Sequence, residues 1–131
     1  MTQLTLTLIR GLPGSGKTTL AEKMLSESMQ KLVHLEADMY FVDKNGQYLF
    51  QPHLIKEAHE WCLTQSRAHL LAGENVVVAN TFVRHWEMQA YRDLAVMLNA
   101  KLVIKVCRGK YKNIHQVPGS TIKRMQKQWQ P

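Results

Sequence analysis

Two cysteines in 131 residues, Cys62 and Cys107, lie in separate segments with no C-x-x-C spacing. That excludes a disulfide framework and argues for free, half-buried thiols. The six histidines bring no metal site with them. His59 and Cys62 stand three apart on one helical face, but two potential ligands without a third or fourth do not hold zinc. No apolar run approaches the roughly 18 residues that a membrane span needs. Met1 to Arg10 alternates like a strand rather than reading as a leader, so the expectation is a cytoplasmic protein with no membrane partner. Internal repeats, low-complexity tracts and linkers are also missing, which leaves residues 1–131 as a single domain. The last absence is local. Residues 101–131 contain no Asp or Glu, yet carry Lys101, Lys105, Arg108, Lys110, Lys112, Lys123, Arg124 and Lys127. This quarter supplies the whole net charge of +7. Such a field draws polyanions, either nucleotide phosphates or a nucleic-acid backbone.

What is present alternates between strand and helix. Leu4, Leu6 and Leu8 against Thr5 and Thr7, followed by Ile9, read as a buried strand. Lys17 to Gln30 has helical spacing through Leu20, Met24 and Leu25, and Lys31 to Glu36 is a short strand. Asn45-Gly46 between apolar residues marks a tight hairpin or a mobile flap. A helix runs from near His53 to Ala72 and stops at Gly73. The valines of Asn75 to Ala79 mark a strand buried on both faces, as in a parallel sheet covered on each side. A helix over Arg84 to Asn99, a strand over Lys101 to Cys107 and a loop over Arg108 to Gly119 follow. Ser120 is placed to cap a last helix reaching Trp129. Trp61, Trp86 and Tyr91 fall at helical spacing and read as core. The alternation predicts an α/β three-layer sandwich on a mostly parallel sheet of four to five strands.

Gly11-Leu-Pro-Gly-Ser-Gly-Lys-Thr18 matches G-x-x-x-x-G-K-[ST] without a gap, between a strand and a helix as that motif requires. Gly11, Gly14 and Gly16 let the backbone curl so that successive amides point at one anion, with Pro13 and Ser15 within the same cradle. The helix starting near Lys17 adds its positive dipole end. Lys17 reaches the β and γ phosphates, the Thr18 hydroxyl coordinates magnesium, and Thr19 adds an α-phosphate contact. The ligands expected are therefore ATP and Mg2+.

Asp38 follows the end of the second strand, where ligands sit in doubly wound sheets. A carboxylate there would take the proton of an attacking hydroxyl and help hold the metal's waters. Glu36 is the alternative acid, and capping of a turn is the plain structural alternative for Asp38. The third strand ends in Val78-Ala79-Asn80-Thr81, without the aspartate that many nucleotide hydrolases keep for the metal. Asn80 and Thr81 are left to orient a metal-bound water or the substrate, which argues against a motor-type ATPase. Lys110, Lys112, Asn113 and His115 form the expected lid. Arg124, on the helix behind it, is the expected cation for the transferring phosphoryl group.

These residues together resemble the polynucleotide-kinase-like P-loop kinases and ATP-binding domains. The resemblance covers nearly the whole chain. It rests on Gly11 to Thr19, Glu36-Ala-Asp38-Met-Tyr40-Phe41 and Gly46-Gln-Tyr48-Leu-Phe50. It continues through Ala58-His59-Glu-Trp61-Cys62, Val78-Ala-Asn80-Thr81-Phe82 and Trp86-Glu-Met88, then Asn113-Ile-His115-Gln-Val117-Pro118 and Ile122-Lys-Arg124-Met125. It implies a kinase-type P-loop fold of strand order 2-3-1-4, with Asp38 in the general-base position. Two positions depart from the family. Phe41 stands where phage polynucleotide kinases place an arginine for the substrate phosphate, and Ala79-Asn80 replaces the usual aspartate. The leading expectation is an ATP-dependent kinase acting on a hydroxyl of a nucleic acid or nucleoside. A small-molecule kinase and a non-catalytic ATP-binding module are the alternatives.

Overall fold

A computed structural model describes residues 3–111 and 117–131. Its strands β1 (Thr5–Arg10), β2 (Leu32–Leu35), β3 (Asn75–Asn80) and β4 (Lys101–Val106) form one all-parallel sheet of order β2-β3-β1-β4. The helices are α1 (Lys17–Glu27), α2 (Ile55–Leu71), α3 (Gln89–Met97) and α4 (Gly119–Gln128). The sheet thus has four strands in the expected order.

The sandwich follows from side-chain alternation. In β1, Leu6 and Leu8 point to one face of the sheet and Ile9 to the other, all fully buried. In β3, Val76 and Val78 share the first face, while Val77 and Ala79 share the second. Ala58, Cys62 and Leu70 of α2 cover the first face together with Tyr91, Leu94 and Ala95 of α3. Ala21, Leu20 and Met24 of α1 cover the second. A strand covered on both sides has no solvent face, hence the uninterrupted valines. Each buried valine contributes roughly 1.5–3 kcal/mol. β4 lies at the edge, and its exposed Lys101 and Lys105 discourage pairing with another chain.

Helix ends fix where the loops begin. Past α2, the Gly73 amide donates to the Leu70 carbonyl and that of Glu74 to the His69 carbonyl, each at 3.0 Å. With Gly73 at φ 84° this is a Schellman stop, as expected from its position. Ser120 is not the cap of the last helix. Pro118 holds that position in an extended conformation, and its carbonyl accepts from Thr121 and Ile122. The helix expected from Arg84 opens instead as a 3-10 turn, His85–Met88, before α3. There the Glu87 carboxylate accepts from the Arg84 amide at 2.8 Å. Trp86, on that turn, is 74 % exposed rather than core. Between Tyr40 and Phe50 the Asn45-Gly46 turn closes through Gly46 N–H to Asp43 C=O, with one antiparallel bridge between Val42 and Tyr48. Among the described residues no helix is long and apolar enough to cross a membrane.

Candidate active site

The loop between β1 and α1 lies at the carboxyl end of the central strands, flanked by the ends of β3 and β4. The Gly11 amide donates to Thr81 C=O beyond β3, and that of Cys107 to Arg10 C=O beyond β4. Gly14 and Gly16 take φ of 80° and 98°, where a side chain is strained. A Cβ on Gly11 would stand 2.3 Å from Ser15 Oγ and 2.7 Å from the Cys107 carbonyl, so the cradle has no room for one. α1 begins at Lys17, and its first-turn amides have no intrahelical acceptor. Lys17 Nζ folds back onto the carbonyls of Gly11 and Leu12, 3.0 Å from each. Burial pulls its pKa below the usual lysine value, against the opposing charge of Glu36.

These residues fit a polyphosphate. Among the described residues Ser15 Oγ is buried without a hydrogen-bond partner, packed against Gly11 and the Cys107 carbonyl at the root of the loop. The first-turn amides of α1 and the Lys17 ammonium are what face the cavity, and such groups converge on an anion. The Thr18 hydroxyl donates to Glu36 Oε2 at 2.8 Å, which leaves its lone pairs for a cation. No group of three His, Cys, Asp or Glu gathers as a metal cluster among the described residues. A magnesium ion held through one hydroxyl, nearby carboxylates and substrate phosphates needs none.

Glu36 is the residue that sequence reasoning left in second place. It is buried at 7 % exposure, and its Oε2 also meets His34 Nε2 at 2.6 Å. The carboxylate touching Thr18 therefore comes from the end of β2, not from β3. Asn80, at the end of β3, has another task. Its Oδ1 accepts from the Ala37 amide at 2.9 Å and its Nδ2 faces Cys62 Sγ. This side chain ties the acidic segment to the sheet, and it also lines the cavity described below. The sequence offered both acids without ranking their distance to Thr18, because that contact depends on a separation in space.

Asp38 sits on the 3-10 turn Ala37–Phe41 and accepts from the Tyr48 hydroxyl at 3.3 Å. Burial, reinforced by the Asp38 charge, pushes the Tyr48 pKa up to about 12, so the phenol stays a donor. One cavity of about 740 Å³ is lined by Pro13, Gly14, Gly16, Lys17, Thr18 and Thr19, and by Glu36, Asp38 and Arg124. Gly11 and Ser15, assigned to the cradle from the sequence, do not line this cavity; Ser15 lines a neighbouring hollow with Cys107 and Arg108. The structure thus brings the loop, the acid and the helix cation of the sequence reading to one space. Lys112, Asn113 and His115, assigned to the lid, lie outside the described residues. Tyr111, which the sequence did not flag, lines the same cavity, and its amide donates to Gly14 C=O at 2.7 Å. Cys62 and Cys107 are free, one buried and one half-buried.

The parallel order β2-β3-β1-β4, with this loop between the central strand and its helix, defines a P-loop nucleotide-binding domain of the kinase type. The chain belongs to the AAA domain family, whose model matches residues 6–114. It is 36% identical, over an alignment of 139 residues, to human NEDD4-binding protein 2. That alignment takes in 97% of this chain but only 8% of the relative. Its fold is shared with a chain of the Pnkp1/Rnl/Hen1 complex (TM-score 0.68, 19% identity, 95% of this chain and 39% of that one). It is shared too with the Mycobacterium tuberculosis APS kinase CysC bound to AMPPNP and APS (TM-score 0.59, 18% identity, 95% of this chain and 69% of that one).

Proposed function

We propose that this chain is an ATP-dependent phosphotransferase that moves the γ-phosphoryl group of ATP to a hydroxyl of a nucleic acid or nucleoside. One observation carries the reading: the phosphate-cradling loop, a carboxylate and an arginine face a single cavity. A carboxylate on the wall facing the phosphates, in addition to the one behind Thr18, is the group that acceptor activation requires.

In this reading the amides of Gly14 to Thr18 and the Lys17 ammonium hold the β and γ phosphates. Magnesium, when bound, would neutralise the phosphate oxygens. Thr18 would hold it, with the charge of Glu36 behind the hydroxyl and Asp38 within reach of its waters. The acceptor oxygen attacks the γ phosphorus in line and gives its proton to the Asp38 carboxylate. The bond from that phosphorus to the β–γ bridging oxygen breaks, and ADP leaves. Tyr48, donating to Asp38, fixes the direction of the carboxylate. Arg124 closes over the three oxygens on which charge spreads. The fold shared with the APS kinase, which was solved in complex with AMPPNP and APS, supports kinase chemistry on such a frame.

The test is transfer of label from γ-labelled ATP to a panel of hydroxyl-ended oligonucleotides, nucleosides and sugars. Label should appear in one acceptor class with wild type and vanish with Lys17→Ala. No transfer to any acceptor, with ATP bound and unhydrolysed, would leave a nucleotide-binding module and remove the kinase.

A further inference from the structure

Strand β2 carries a polar pair where apolar side chains would pack. In an extended strand alternate side chains share a face. Val33 and Leu35 join the core beneath α2, whereas Leu32 packs with the core beneath α1. His34 and Glu36 therefore point to the α1 side, where that helix opens with Lys17 and Thr18. Both side chains are 9 % exposed. A histidine at that depth is costly unless a partner holds it. Here the partner is a single oxygen: Glu36 Oε2 meets His34 Nε2 at 2.6 Å and the Thr18 hydroxyl at 2.8 Å.

The direction of the two contacts matters. A carboxylate oxygen only accepts, so His34 Nε2 and Thr18 Oγ1 both donate to it. The Thr18 proton is thereby turned toward β2, and its lone pairs are left for the cavity that Thr18 and Glu36 line. His34 is not among the described residues lining that cavity, so its reach into the site runs through Glu36. The backbone on both sides of the acid is pinned. His34 stands in the ladder opposite Val77, and the Ala37 amide donates to Asn80 Oδ1 at 2.9 Å. What freedom the acid keeps lies in its own torsions, and a charge-assisted hydrogen bond restricts them. The Lys17 ammonium attracts the same carboxylate from the loop. Without His34 behind it, the acid would be drawn toward that ammonium and away from the Thr18 hydroxyl.

We infer that His34 is a positioning residue for the magnesium site, holding Glu36 Oε2 on the Thr18 hydroxyl so that the hydroxyl lone pairs stay turned to the metal. This deepens the function proposed above and rests on its metal–nucleotide site, not on the identity of the acceptor. His34 touches neither phosphate nor metal. Its effect is on how firmly the metal is held, and metal-free nucleotide does not feel it.

The experiment compares three substitutions. His34→Phe keeps a ring and removes the donor, His34→Asn is too short to reach Oε2, and His34→Gln keeps an amide that can donate in place of Nε2. Each chain is saturated with a non-hydrolysable ATP analogue and titrated with manganese, read by electron paramagnetic resonance. The analogue alone is titrated in chelator, read by calorimetry. His34→Phe and His34→Asn should each weaken manganese about tenfold and leave the metal-free analogue within about twofold of wild type, while His34→Gln recovers most of the loss. In a Glu36→Gln background, His34→Phe should weaken manganese no further, since the two residues act as one unit. Near-ultraviolet circular dichroism identifies any variant that does not fold, and the Asn variant carries the test should the Phe ring fail to pack. Unchanged manganese affinity in the folded variants would overturn the inference. Equal losses with and without metal would also overturn it, by showing a merely structural histidine, and so would an additive loss in the Glu36→Gln background. If wild type binds the analogue neither with metal nor without, the phosphate-loop reading falls and takes the inference with it. If wild type binds the metal–nucleotide but transfers no label, the kinase falls and the role of His34 stands.

Discussion

The guanidinium of Arg10 lies 4.1 Å from the ring centre of Trp129, linking the last residue of β1 to the segment that follows α4. Arg10 is 3 % exposed. Its Nε donates to the Phe82 carbonyl at 3.0 Å and its terminal nitrogen to Val83 and Gln130. Gln130 returns an amide to Val83 C=O, and Arg84 reaches the Gln128 carbonyl. One buried cation therefore holds the end of β3, the turn beyond it and the chain after α4 in register. It stands directly before Gly11, so the helix bearing Arg124 is tied to the root of the phosphate loop. Phe82 needs such support, because its φ of 44° is strained for a residue with a side chain.

Trp129→Ala should remove one face of this arrangement and lower stability by about 1–2 kcal/mol. Arg10→Met should cost more, roughly 3 kcal/mol, because it leaves buried carbonyls without donors. Urea unfolding measures both, and limited proteolysis should cut near α4 faster in each variant. Proteolysis patterns identical to wild type would show that α4 is held by other means.

Glu36→Gln keeps the shape beside Thr18 and removes the charge. The affinity for a manganese–nucleotide complex, read by electron paramagnetic resonance, should fall about tenfold, the usual effect of a lost partner behind a metal ligand. Metal-free nucleotide should bind as well as before or better. Unchanged manganese affinity would leave Glu36 as a packing acid for His34.

Asp38→Asn should lower the phosphoryl-transfer rate by roughly 10²–10⁴ while the affinity for ATP stays within a few-fold. Arg124→Ala should also act on the rate rather than on nucleotide binding. Single-turnover kinetics separate the two quantities. A variant of Asp38 with full activity would move the base elsewhere, with Glu36 next in line.

Tyr48 supplies a pH test. Its proton is held more tightly in the folded chain, at about 12, than in the unfolded chain near the ordinary tyrosine value of about 10. The stability it contributes is complete below pH 10 and is lost as pH rises from about 10 through about 12. The ring is partly exposed, so the amount is screened and should stay under about 1 kcal/mol. The difference in Tm between wild type and Tyr48→Phe should be flat from pH 7 to 9 and shrink toward pH 11.5. A difference that grows over that range would reverse the assignment.

Most of the architecture was legible along the chain because it is local. Alternating Leu and Thr in β1, the three valines of β3 and the glycine stop of α2 each follow from near-neighbour sterics and burial. The phosphate loop is equally local, since eight consecutive residues contain its geometry. The less legible features depended on elements far apart in sequence. Ser120 looked like a cap until Pro118 took the position, and Trp86 looked like core until a 3-10 turn rotated it outward.

The amino-acid order by itself determined a parallel sheet, a phosphate cradle at Gly11 to Thr18 and an acid just past the second strand. Tertiary structure alone decided which acid meets Thr18, that Asn80 ties Ala37 to the sheet, and that Phe41, Tyr48 and Phe50 form one wall. It also decided that Arg10 holds Trp129 across 119 positions of chain. The physical reason is reach: backbone preference and periodicity act over a few residues, whereas a hydrogen bond or ring contact depends on distance in space, which the packed sheet sets.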